Sequence, residues 1–437
     1  YILVIGDREA ETNSVSVRRR DGQNVGTMTV HSVIAALQRE AQTRAIQPVL
    51  APPLSPAPSS PEAAAPTASA ASKGGVMRAV RLTGVGEAKL LRDVPIPEPG
   101  PGQVRIKVVA AGICGTDKHL CAGDATVIEK AKPPRTLGHE FCGEIDTLGA
   151  DVRGLAPGDY VTAEMHVVCG SCYPCRTGAG HVCENTVICG LHADGSFADY
   201  VVVPASNVLK LDRDAVPPKI GAFLDALGNA VHTASATNVP GRNIVVLGYG
   251  PIGAMTAAVV EFMGASQVFV TEVHPYNLAQ AQAWAAKANA KHPRGLERVV
   301  VLDVGNKEKR AAAVELIKQR TNGGADAALE ISGHPDAIND GLAMLRWGGE
   351  LAELGIGKEK ALTLHDWNGD VVFKGRTVKG IIGRRMYDTW YQMLGLLRAG
   401  LDVEHIVTTE ASLDDFDTAM AKFRRNETMK VVLYPGK

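Results

Sequence analysis

The chain has 437 residues, of which 45% are apolar and 21% are charged, the composition of an ordinary globular protein with two or three domains. Its 46 Lys and Arg residues balance 47 Asp and Glu residues, so the formal net charge is −1. This balance excludes a broadly basic nucleic-acid-binding protein and a protein with a dominant acidic tail.

The first 47 residues indicate a small α/β segment. Residues 1–6 (YILVIG) have the pattern of a buried strand, and residues 15–20 (VSVRRR) predict a second strand that turns at Asp21-Gly22. A helix is predicted over residues 29–44, with Thr29 as its N-cap. Residues 48–75 contain 7 Pro, 8 Ala and 5 Ser and predict a disordered linker, since they cannot bury enough apolar surface to offset ordering.

From residue 76 onward the composition is globular, and the first candidate site combines Cys114 with the pair His139-Glu140. A thiolate, an imidazole and a carboxylate are the ligands of a catalytic zinc that keeps one position open for a substrate hydroxyl. Each motif alone is weak, because a Gly-His-Glu triplet is more often a loop with a solvated carboxylate. Asp225 is a further candidate acid, directly before a predicted helix.

Eight cysteines are too few for a disulfide scaffold, so their spacing carries the information. Four of them have the spacing C-x2-C-x2-C-x7-C: Cys169, Cys172, Cys175 and Cys183. Four thiolates close a tetrahedral shell around zinc, which favours a structural zinc site. An iron–sulfur cluster and four unrelated buried thiols are the alternatives. Cys121, Cys142 and Cys189 have no predicted role.

A dinucleotide site is predicted next. Residues 243–247 (NIVVL) predict a buried parallel strand, followed by the G-x-G-x-x-G turn of Gly248, Gly250 and Gly253 and by a helix over residues 254–263. This arrangement favours pyrophosphate binding over a purely structural glycine turn, and over a membrane helix. A second strand over residues 267–271 ends at Glu272, whose carboxylate would accept a bond from a ribose 2′-hydroxyl and repel a 2′-phosphate, so NAD is favoured over NADP.

These motifs occur with further characteristic strings: AGICGTDKH (111–119), GHEFCGE (138–144), GNAVHTA (228–234), GYGPIGAM (248–255) and VFKGRTVKGIIGRRMYDTWYQM (372–393). Together they make residues 77–437 resemble the zinc-containing medium-chain alcohol dehydrogenases. Within that family, the last string and GNAVHTA are similar to those of members that oxidise the 3-hydroxyl of L-threonine with NAD, forming 2-amino-3-oxobutanoate and NADH. Polyol and secondary-alcohol dehydrogenases of the same family are the alternative.

The resemblance implies an α/β fold in which a β-rich GroES-like catalytic domain, residues 76–224 and 389–437, is interrupted by a doubly wound Rossmann domain, residues 225–388. It implies two zinc ions per chain, one held by the four cysteines and one by Cys114, His139 and Glu140. It also implies a homotetramer in the cytoplasm, which fits the reducing compartment that thiolate ligands need.

Further site residues are carried over from the family. Thr116 and His119 match a charge relay near the substrate, and Asp225 matches an acid that assists proton transfer without firm zinc ligation. The positions that correspond to NAD contacts are Gly248, Gly250, Ile252, Gly253, Glu272, Asn277, Leu354, Gly355, Ile356, Ile381 and Ile382.

Three features depart from the family pattern. Asn277 stands where the family has Arg or Lys, which weakens the expected contacts to the adenosine ribose. The sequence Asp225-Ala-Leu-Gly replaces Asp-Pro-Phe-Gly, and an apparent insertion at residues 288–296 lengthens one loop of the nucleotide-binding domain.

Residues 1–47 resemble the C-terminal end of the anticodon-binding domain of threonyl-tRNA synthetases, and they match the tail of that domain only. The basic run Arg18-Arg19-Arg20 could contact a phosphate backbone, but such a run is more often a solvated strand end. Nucleic acid is therefore not an expected partner, and a tRNA-binding fusion protein remains the alternative from a different functional class.

Overall fold

The structure is a computed structural model that describes residues 2–4, 14–18, 24–29, 75–124, 131–292, 295–357 and 361–437. The chain divides into two compact units, Tyr1–Ala64 and Ala65–Lys437. The linker predicted over residues 48–75 lies outside the described residues except for Gly75.

The strands, numbered in chain order, are β1 (Ile2–Val4), β2 (Ser14–Arg18), β3 (Asn24–Thr29), β4 (Val76–Gly84), β5 (Glu87–Pro95), β6 (Gln103–Ile113), β7 (Arg135–Thr136), β8 (Phe141–Leu148), β9 (Tyr160–Ala163), β10 (His166–Val167), β11 (Val187–Ile188), β12 (Tyr200–Pro204), β13 (Val208–Lys210), β14 (Asn243–Leu247), β15 (Gln267–Glu272), β16 (Val299–Asp303), β17 (Ala325–Glu330), β18 (Leu345–Glu353), β19 (Thr377–Gly380), β20 (Val407–Ser412) and β21 (Lys430–Tyr434).

The helices are α1 (Gly115–Cys121), α2 (Tyr173–Arg176), α3 (Pro218–Gly221), α4 (Leu224–Ser235), α5 (Pro251–Phe262), α6 (Pro275–Ala290), α7 (Lys307–Arg320), α8 (Pro335–Met344), α9 (Asp388–Arg398) and α10 (Phe416–Arg424). Short 3₁₀ turns occur at Gly180–Val182, Ala205–Asn207, Glu404–Ile406 and Leu413–Asp415, and a π-helical turn at Asn368–Val372. Within the described residues, no helix combines the length and apolar character needed to cross a membrane.

The N-terminal unit contains an antiparallel sheet with the strand order β1-β2-β3. The two predicted strands are confirmed, because β1 pairs with β2 and β2 pairs with β3. Thr29 is the last residue of β3 and pairs with Ser14, so the helix predicted over residues 29–44 does not include Thr29 itself. An N-cap residue is extended, so the capping role of Thr29 stays a prediction. The rest of that predicted helix, residues 30–44, and the turn at Asp21-Gly22 lie outside the described residues.

The catalytic part is built on a seven-stranded sheet with the order β13-β9-β8-β6-β21-β20, and β12 also pairs with β6. Strand β6 is long because alternate residues, Val104, Ile106 and Val108, face a buried core. Strand β6 pairs with β8, β12 and β21, so the residues that directly follow its C-terminal end are held in position. This β-rich part confirms the predicted GroES-like domain.

The nucleotide-binding part is a six-stranded parallel sheet with the order β16-β15-β14-β17-β18-β19. Helices cover both faces of it, which explains why β14 and β15 are continuous apolar runs rather than alternating ones. The strand order reverses between β14 and β17, and the crevice outside the carboxyl ends at such a point is where doubly wound sheets bind dinucleotides. The predicted Rossmann fold is confirmed. The loop of the predicted insertion joins α6 to β16.

Candidate active site

The predicted zinc ligands Cys114, His139 and Glu140 come together beside two paired strands. Cys114 follows β6 and precedes α1, and the other two residues directly precede β8. Because Ala111 of β6 pairs with Phe141 of β8, the two segments leave the sheet side by side. The three candidate ligand atoms all lie within 4.8 Å of one another. Strand register therefore closes the separation of 25 residues in the sequence.

This cluster has the electrostatics of a cation site. Burial lowers the pKa of His139, but the negative charges of Cys114 and Asp117 outweigh it and raise that pKa to about 10. Burial also raises the pKa of the Glu140 carboxyl. His139 Nδ1 and Glu140 Oε1 are buried without a hydrogen-bond partner among the described residues. Sulfur, nitrogen and oxygen donors with excess negative charge fit a zinc ion that keeps one position open.

Lys430 is a buried member of this site that the sequence analysis missed. Its Nζ lies 2.5 Å from Glu140 Oε2 and donates a hydrogen bond of 2.9 Å to the carbonyl of Ile113. Lys430 begins β21, which pairs with β6. The sequence signal that could have revealed Lys430 is a lysine at the start of an apolar strand, because a buried ammonium group needs an anionic partner. Lys430 thus balances part of the negative charge around the ligands.

The predicted relay residues lie on α1. Thr116 is half-buried near the start of this helix. His119 lies in its last turn, and its Nδ1 is 3.0 Å from Asp124 Oδ2, with 45% of the side chain exposed. The helix begins one residue after Cys114, so both side chains lie on the element that the candidate ligand initiates. Their role in proton transfer stays a prediction.

A second buried cluster surrounds Asp225 and includes three residues that the sequence analysis did not single out. Arg384 places its Nη2 2.9 Å from Asp225 Oδ1 and 2.6 Å from His166 Nδ1, and its Nε donates to Glu164 Oε2 at 2.9 Å. Glu164, His166 and Asp225 could by spacing hold a metal ion. The guanidinium is already paired with these side chains, so the cluster is better described as an arginine site.

The arginine site adjoins the candidate zinc site. The charge of Asp225 acts on the pKa of both His139 and Glu140, which requires short separations. Burial raises the pKa of Glu164, but the charge of Arg384 outweighs it and lowers that pKa below its ordinary value. Glu164 is therefore an anion at neutral pH. Arg384 lies in the string of residues 372–393 that is shared with the family, and this was the sequence signal for the site. The string does not show that the partners of Arg384 come from residues 164–225.

The four cysteines of the predicted structural site form one cluster. All four sulfurs lie within 4.8 Å of one another, and Cys183 Sγ is 3.5 Å from Cys169 Sγ and 3.8 Å from Cys172 Sγ. None of the cysteines forms a disulfide. Zn–S bonds of about 2.3 Å in a tetrahedron place sulfurs about 3.8 Å apart. These separations fit one zinc ion and leave too little room for an iron–sulfur cluster.

The members of the cysteine cluster differ in their electrostatics, because desolvation and the neighbouring Cys172 and Cys183 raise the pKa of Cys175 to about 12, whereas the pKa of Cys169 is lowered. Backbone N–H groups of Ser171 and Cys172 donate to Cys169 and lower its pKa to about 5. This residue is thus a thiolate at neutral pH, and a thiolate is the form that binds zinc.

Replacing Cys172 with serine is expected to remove one zinc per chain and to lower the unfolding temperature by roughly 5–10 °C, because a structural metal contributes directly to folding. Elemental analysis and thermal unfolding measure the two effects. Cys189→Ser, at a cysteine outside both clusters, should keep the full metal content. Unchanged zinc in Cys172→Ser would contradict the four-cysteine site.

The glycine turn between β14 and α5 has the geometry that a pyrophosphate needs. Gly248 has a φ of 95°, which favours glycine, and Gly250 directly precedes α5. A Cβ at Gly253 would lie 2.1 Å from the carbonyl oxygen of Gly248, so the helix can pack this closely only without a side chain. The N-terminus of α5 therefore opens at the carboxyl edge of the parallel sheet, where its dipole favours an anion.

Glu272 is held in place at the end of β15. Its carboxylate accepts hydrogen bonds from the backbone N–H groups of Tyr249, Val273 and His274 at 2.8, 2.7 and 2.8 Å. Asn277 donates to the same carboxylate at 3.4 Å. The acid is thus tied to the glycine turn itself.

The other predicted NAD positions lie around the same edge. Ile252 is in α5, and residues 354–356 follow β18. Ile381 and Ile382 follow β19. Because these strands are parallel, their carboxyl ends meet at one side of the sheet, and the structure brings these positions to that side. Contact with a nucleotide stays a prediction for each of them.

Comparison with known families agrees with both parts of the fold. Residues 100–213 match the family described as alcohol dehydrogenase GroES-like domain, and residues 251–399 match the zinc-binding dehydrogenase family. Residues 1–40 match the anticodon binding domain family.

Among curated proteins, an L-threonine 3-dehydrogenase from Caldanaerobacter subterraneus is 41% identical over 343 residues, covering 78% of this chain and 93% of that protein. One from Symbiobacterium thermophilum is 39% identical over 362 residues, covering 82% and 98%. Among solved structures, 2R,3R-butanediol dehydrogenase from Bacillus subtilis has a TM-score of 0.72 at 27% identity, covering 82% and 99%. A zinc-binding dehydrogenase from Sinorhizobium meliloti bound to NADP has a TM-score of 0.71 at 27% identity, covering 83% and 100%.

Proposed function

The chain belongs to the zinc-binding medium-chain dehydrogenases and is therefore an oxidoreductase, and we propose that it oxidises L-threonine at its 3-hydroxyl with NAD, forming 2-amino-3-oxobutanoate, NADH and a proton. The observation that carries the proposal is the cluster of Cys114, His139 and Glu140 in a chain that is 41% identical over 343 residues to a curated L-threonine 3-dehydrogenase.

Cys114, His139 and Glu140 would hold a catalytic zinc, and Cys169, Cys172, Cys175 and Cys183 a structural one, so we propose two zinc ions per chain. When bound, the catalytic zinc would favour ionisation of the substrate hydroxyl and NAD would accept a hydride from C3. The charges of Lys430 and Asp117 hold Glu140 and His139 in place. Thr116 and His119 would carry the hydroxyl proton away from the site, and Asp225 would assist that transfer.

A substrate panel tests this proposal. The kcat/KM for NADH formation should be highest with L-threonine. It should be at least about tenfold lower with sorbitol or 2,3-butanediol, which lack the carboxylate and the ammonium group of an amino acid. The panel is run with NAD and with NADP on the full chain. A higher kcat/KM for either polyol would contradict the threonine assignment and would support the polyol or secondary-alcohol alternative.

We propose NAD as the cofactor because Glu272 ends β15 beside the glycine turn, where its charge would repel a 2′-phosphate on a bound adenosine ribose. Replacing Glu272 with glutamine removes the negative charge that repels a 2′-phosphate, and it exchanges one of the two accepting oxygens for a donor. The ratio of kcat/KM for NAD to that for NADP is expected to fall about tenfold, which corresponds to about 1.4 kcal/mol. Glu297→Gln, at an exposed acid paired with Arg320, should leave the ratio unchanged. The same ratio in Glu272→Gln and in the unmodified enzyme would contradict this role.

We further propose that the enzyme is a cytoplasmic homotetramer. Strand β19 is the outermost strand of the parallel sheet in the described chain, and apolar side chains near it are exposed: Trp347 by 73%, Phe373 by 76% and Val378 by 43%. An apolar sheet edge of this kind suits association with a second copy. Light scattering on the full chain measures the assembly, and a monomer at micromolar concentration would contradict the proposal.

A further inference from the structure

Two carboxyl groups lie side by side at the carboxyl edge of the parallel sheet, apart from the sites described above. Glu330 is the last residue of β17 and Glu353 the last residue of β18, and the two are partners in the strand register. Register partners in adjacent strands lie about 4.8 Å apart and point to the same face of the sheet. Glu330 is fully buried and Glu353 is half-buried, so water screens their charges poorly.

The carboxylate of Glu330 is held by the loop that follows β17. It accepts hydrogen bonds from the backbone N–H of Ser332 at 2.8 Å, from that of Gly333 at 2.9 Å, and from the hydroxyl of Ser332. All of these partners donate, and an ionised carboxylate can only accept. The contacts therefore make Glu330 the anionic member of the pair.

Glu353 is the neutral member of the pair at physiological pH. Burial raises its pKa, and the charge of Glu330 and a hydrogen bond to that residue raise it further, to about 9. A protonated carboxyl can donate to Glu330, whereas two ionised carboxylates this close would repel each other. On the other side of β18, Glu353 faces Gly380 of β19, which has no side chain, so Glu330 is the charged group that acts on it. The two acids thus share a single proton.

The same two residues join the loops at this edge of the sheet. Backbone N–H groups of Leu354 and Gly355 donate to the carbonyl oxygen of Glu330 at 2.9 and 3.2 Å, and that of Ile381 donates to the carbonyl oxygen of Glu353 at 2.8 Å. A Cβ at Gly355 would lie 2.4 Å from Glu330 Oε2, so this loop packs directly on the carboxylate. Leu354, Gly355 and Ile381 are among the positions predicted to contact NAD.

The position of these loops assigns them to one half of a dinucleotide. A doubly wound sheet has two mononucleotide-binding halves, on either side of the point where the strand order reverses. Glu272 ends β15, in the half that would receive the adenosine, so β17, β18 and β19 form the half for the nicotinamide. Glu330 and Glu353 end two of these three strands.

We propose that Glu330 and Glu353 are positioning residues, which hold the loops after β17 and β18 together through one shared proton and thereby shape the edge that binds the nicotinamide half of NAD. A second negative charge on the pair would push the two loops apart and weaken that edge. The contribution of the pair is to affinity for the cofactor. This inference rests on the proposed function, which makes NAD the cofactor.

The test measures the dissociation constant of NAD by isothermal titration calorimetry, with the full-length, zinc-loaded enzyme from pH 7 to pH 10. In the unmodified enzyme this constant is expected to rise about tenfold, because only about a tenth of Glu353 stays protonated one pH unit above its pKa. Glu353→Gln has a neutral side chain that still donates. Its dissociation constant should match that of the unmodified enzyme within about twofold at pH 7 and change less than about threefold up to pH 10.

Glu353→Leu removes the donor, so the dissociation constant of NAD at pH 7 should rise about tenfold, the equivalent of one lost hydrogen bond to a charged group. The zinc content should stay that of the unmodified enzyme. A matched control is Glu350→Gln, at an acid of the same strand that pairs with Lys379. It should keep both the dissociation constant of NAD and its rise with pH.

The inference is wrong, while the proposed function stands, if the dissociation constant does not rise with pH in the unmodified enzyme or rises equally in Glu353→Gln. An equal loss of affinity in Glu353→Gln and Glu353→Leu at pH 7 indicates a merely structural role and also overturns it. If Glu353→Leu does not fold, the comparison with Glu353→Gln is decisive. An unmodified enzyme that does not bind NAD at pH 7 would overturn the proposed cofactor, and this inference with it.

Discussion

Replacing Cys114 with serine is expected to lower kcat for threonine oxidation by about 10³-fold or more, because losing several kcal/mol of Lewis-acid stabilisation costs a factor of ten for every ~1.4 kcal/mol. The thiolate is one of the three candidate ligands clustered within 4.8 Å. Zinc content should fall from two ions to one per chain, while thermal stability changes little, since the cysteine cluster is intact.

The matched control for this experiment is Cys121→Ser. Cys121 ends α1, the helix that Cys114 precedes, and lines a surface cavity near Phe416. It should retain both zinc ions and its activity. Removing zinc from the unmodified enzyme with a chelator should reproduce the loss seen in Cys114→Ser. Full activity in a protein verified to be zinc-free would contradict a role for zinc in catalysis.

The second large effect is expected at Arg384. Arg384→Met leaves the carboxylates of Glu164 and Asp225 buried without their cation, and breaking a buried ion pair in this way costs about 3–5 kcal/mol of unfolding free energy. Urea denaturation measures the loss. Activity on threonine should fall as well, because Asp225 beside the candidate zinc site loses the cation that holds it. Arg385→Met, at the exposed neighbouring arginine, should change stability by less than about 0.5 kcal/mol.

The pH dependence of that loss follows from Glu164. In the unmodified enzyme its pKa is lowered despite burial, so its ion pairs stabilise the fold above the unfolded pKa of about 4.3, and this contribution is lost as the pH falls. In Arg384→Met burial is no longer offset, the pKa rises, and protonation relieves the penalty as the pH falls from neutral. The stability difference between the two proteins should therefore be larger at pH 7 than at pH 5, and a gap that widens toward low pH would contradict this account.

Local motifs predicted much of the molecule. The strand–glycine–helix pattern around Gly248 located the Rossmann turn, because a turn that must approach a phosphate restricts several neighbouring positions at once. The three zinc-ligand candidates were found for the same reason, as ligand types in short motifs. Each of these motifs is short, although the 25 residues between Cys114 and His139 are brought together only by strand pairing.

Residues whose role depends on distant partners were not found. Lys430 meets Glu140 only because β21 pairs with β6, and Arg384 meets Glu164 only once the two parts of the fold have closed. The strand pairing of Thr29 was not predicted for a related reason: a threonine before a helical pattern looks the same locally, whether or not it pairs with a neighbouring strand.

The position of β21 has a consequence for how the enzyme is made. Strand β6 is synthesised early, whereas its partner β21 leaves the ribosome only after the whole parallel sheet has been translated. Until then, the edge of β6 is unpaired by β21 and Glu140 lacks the ammonium of Lys430. The charge balance of the candidate zinc site is therefore completed only after translation of the nucleotide-binding part, whereas the four cysteines of the other cluster are contiguous in sequence and need no partner from the end of the chain.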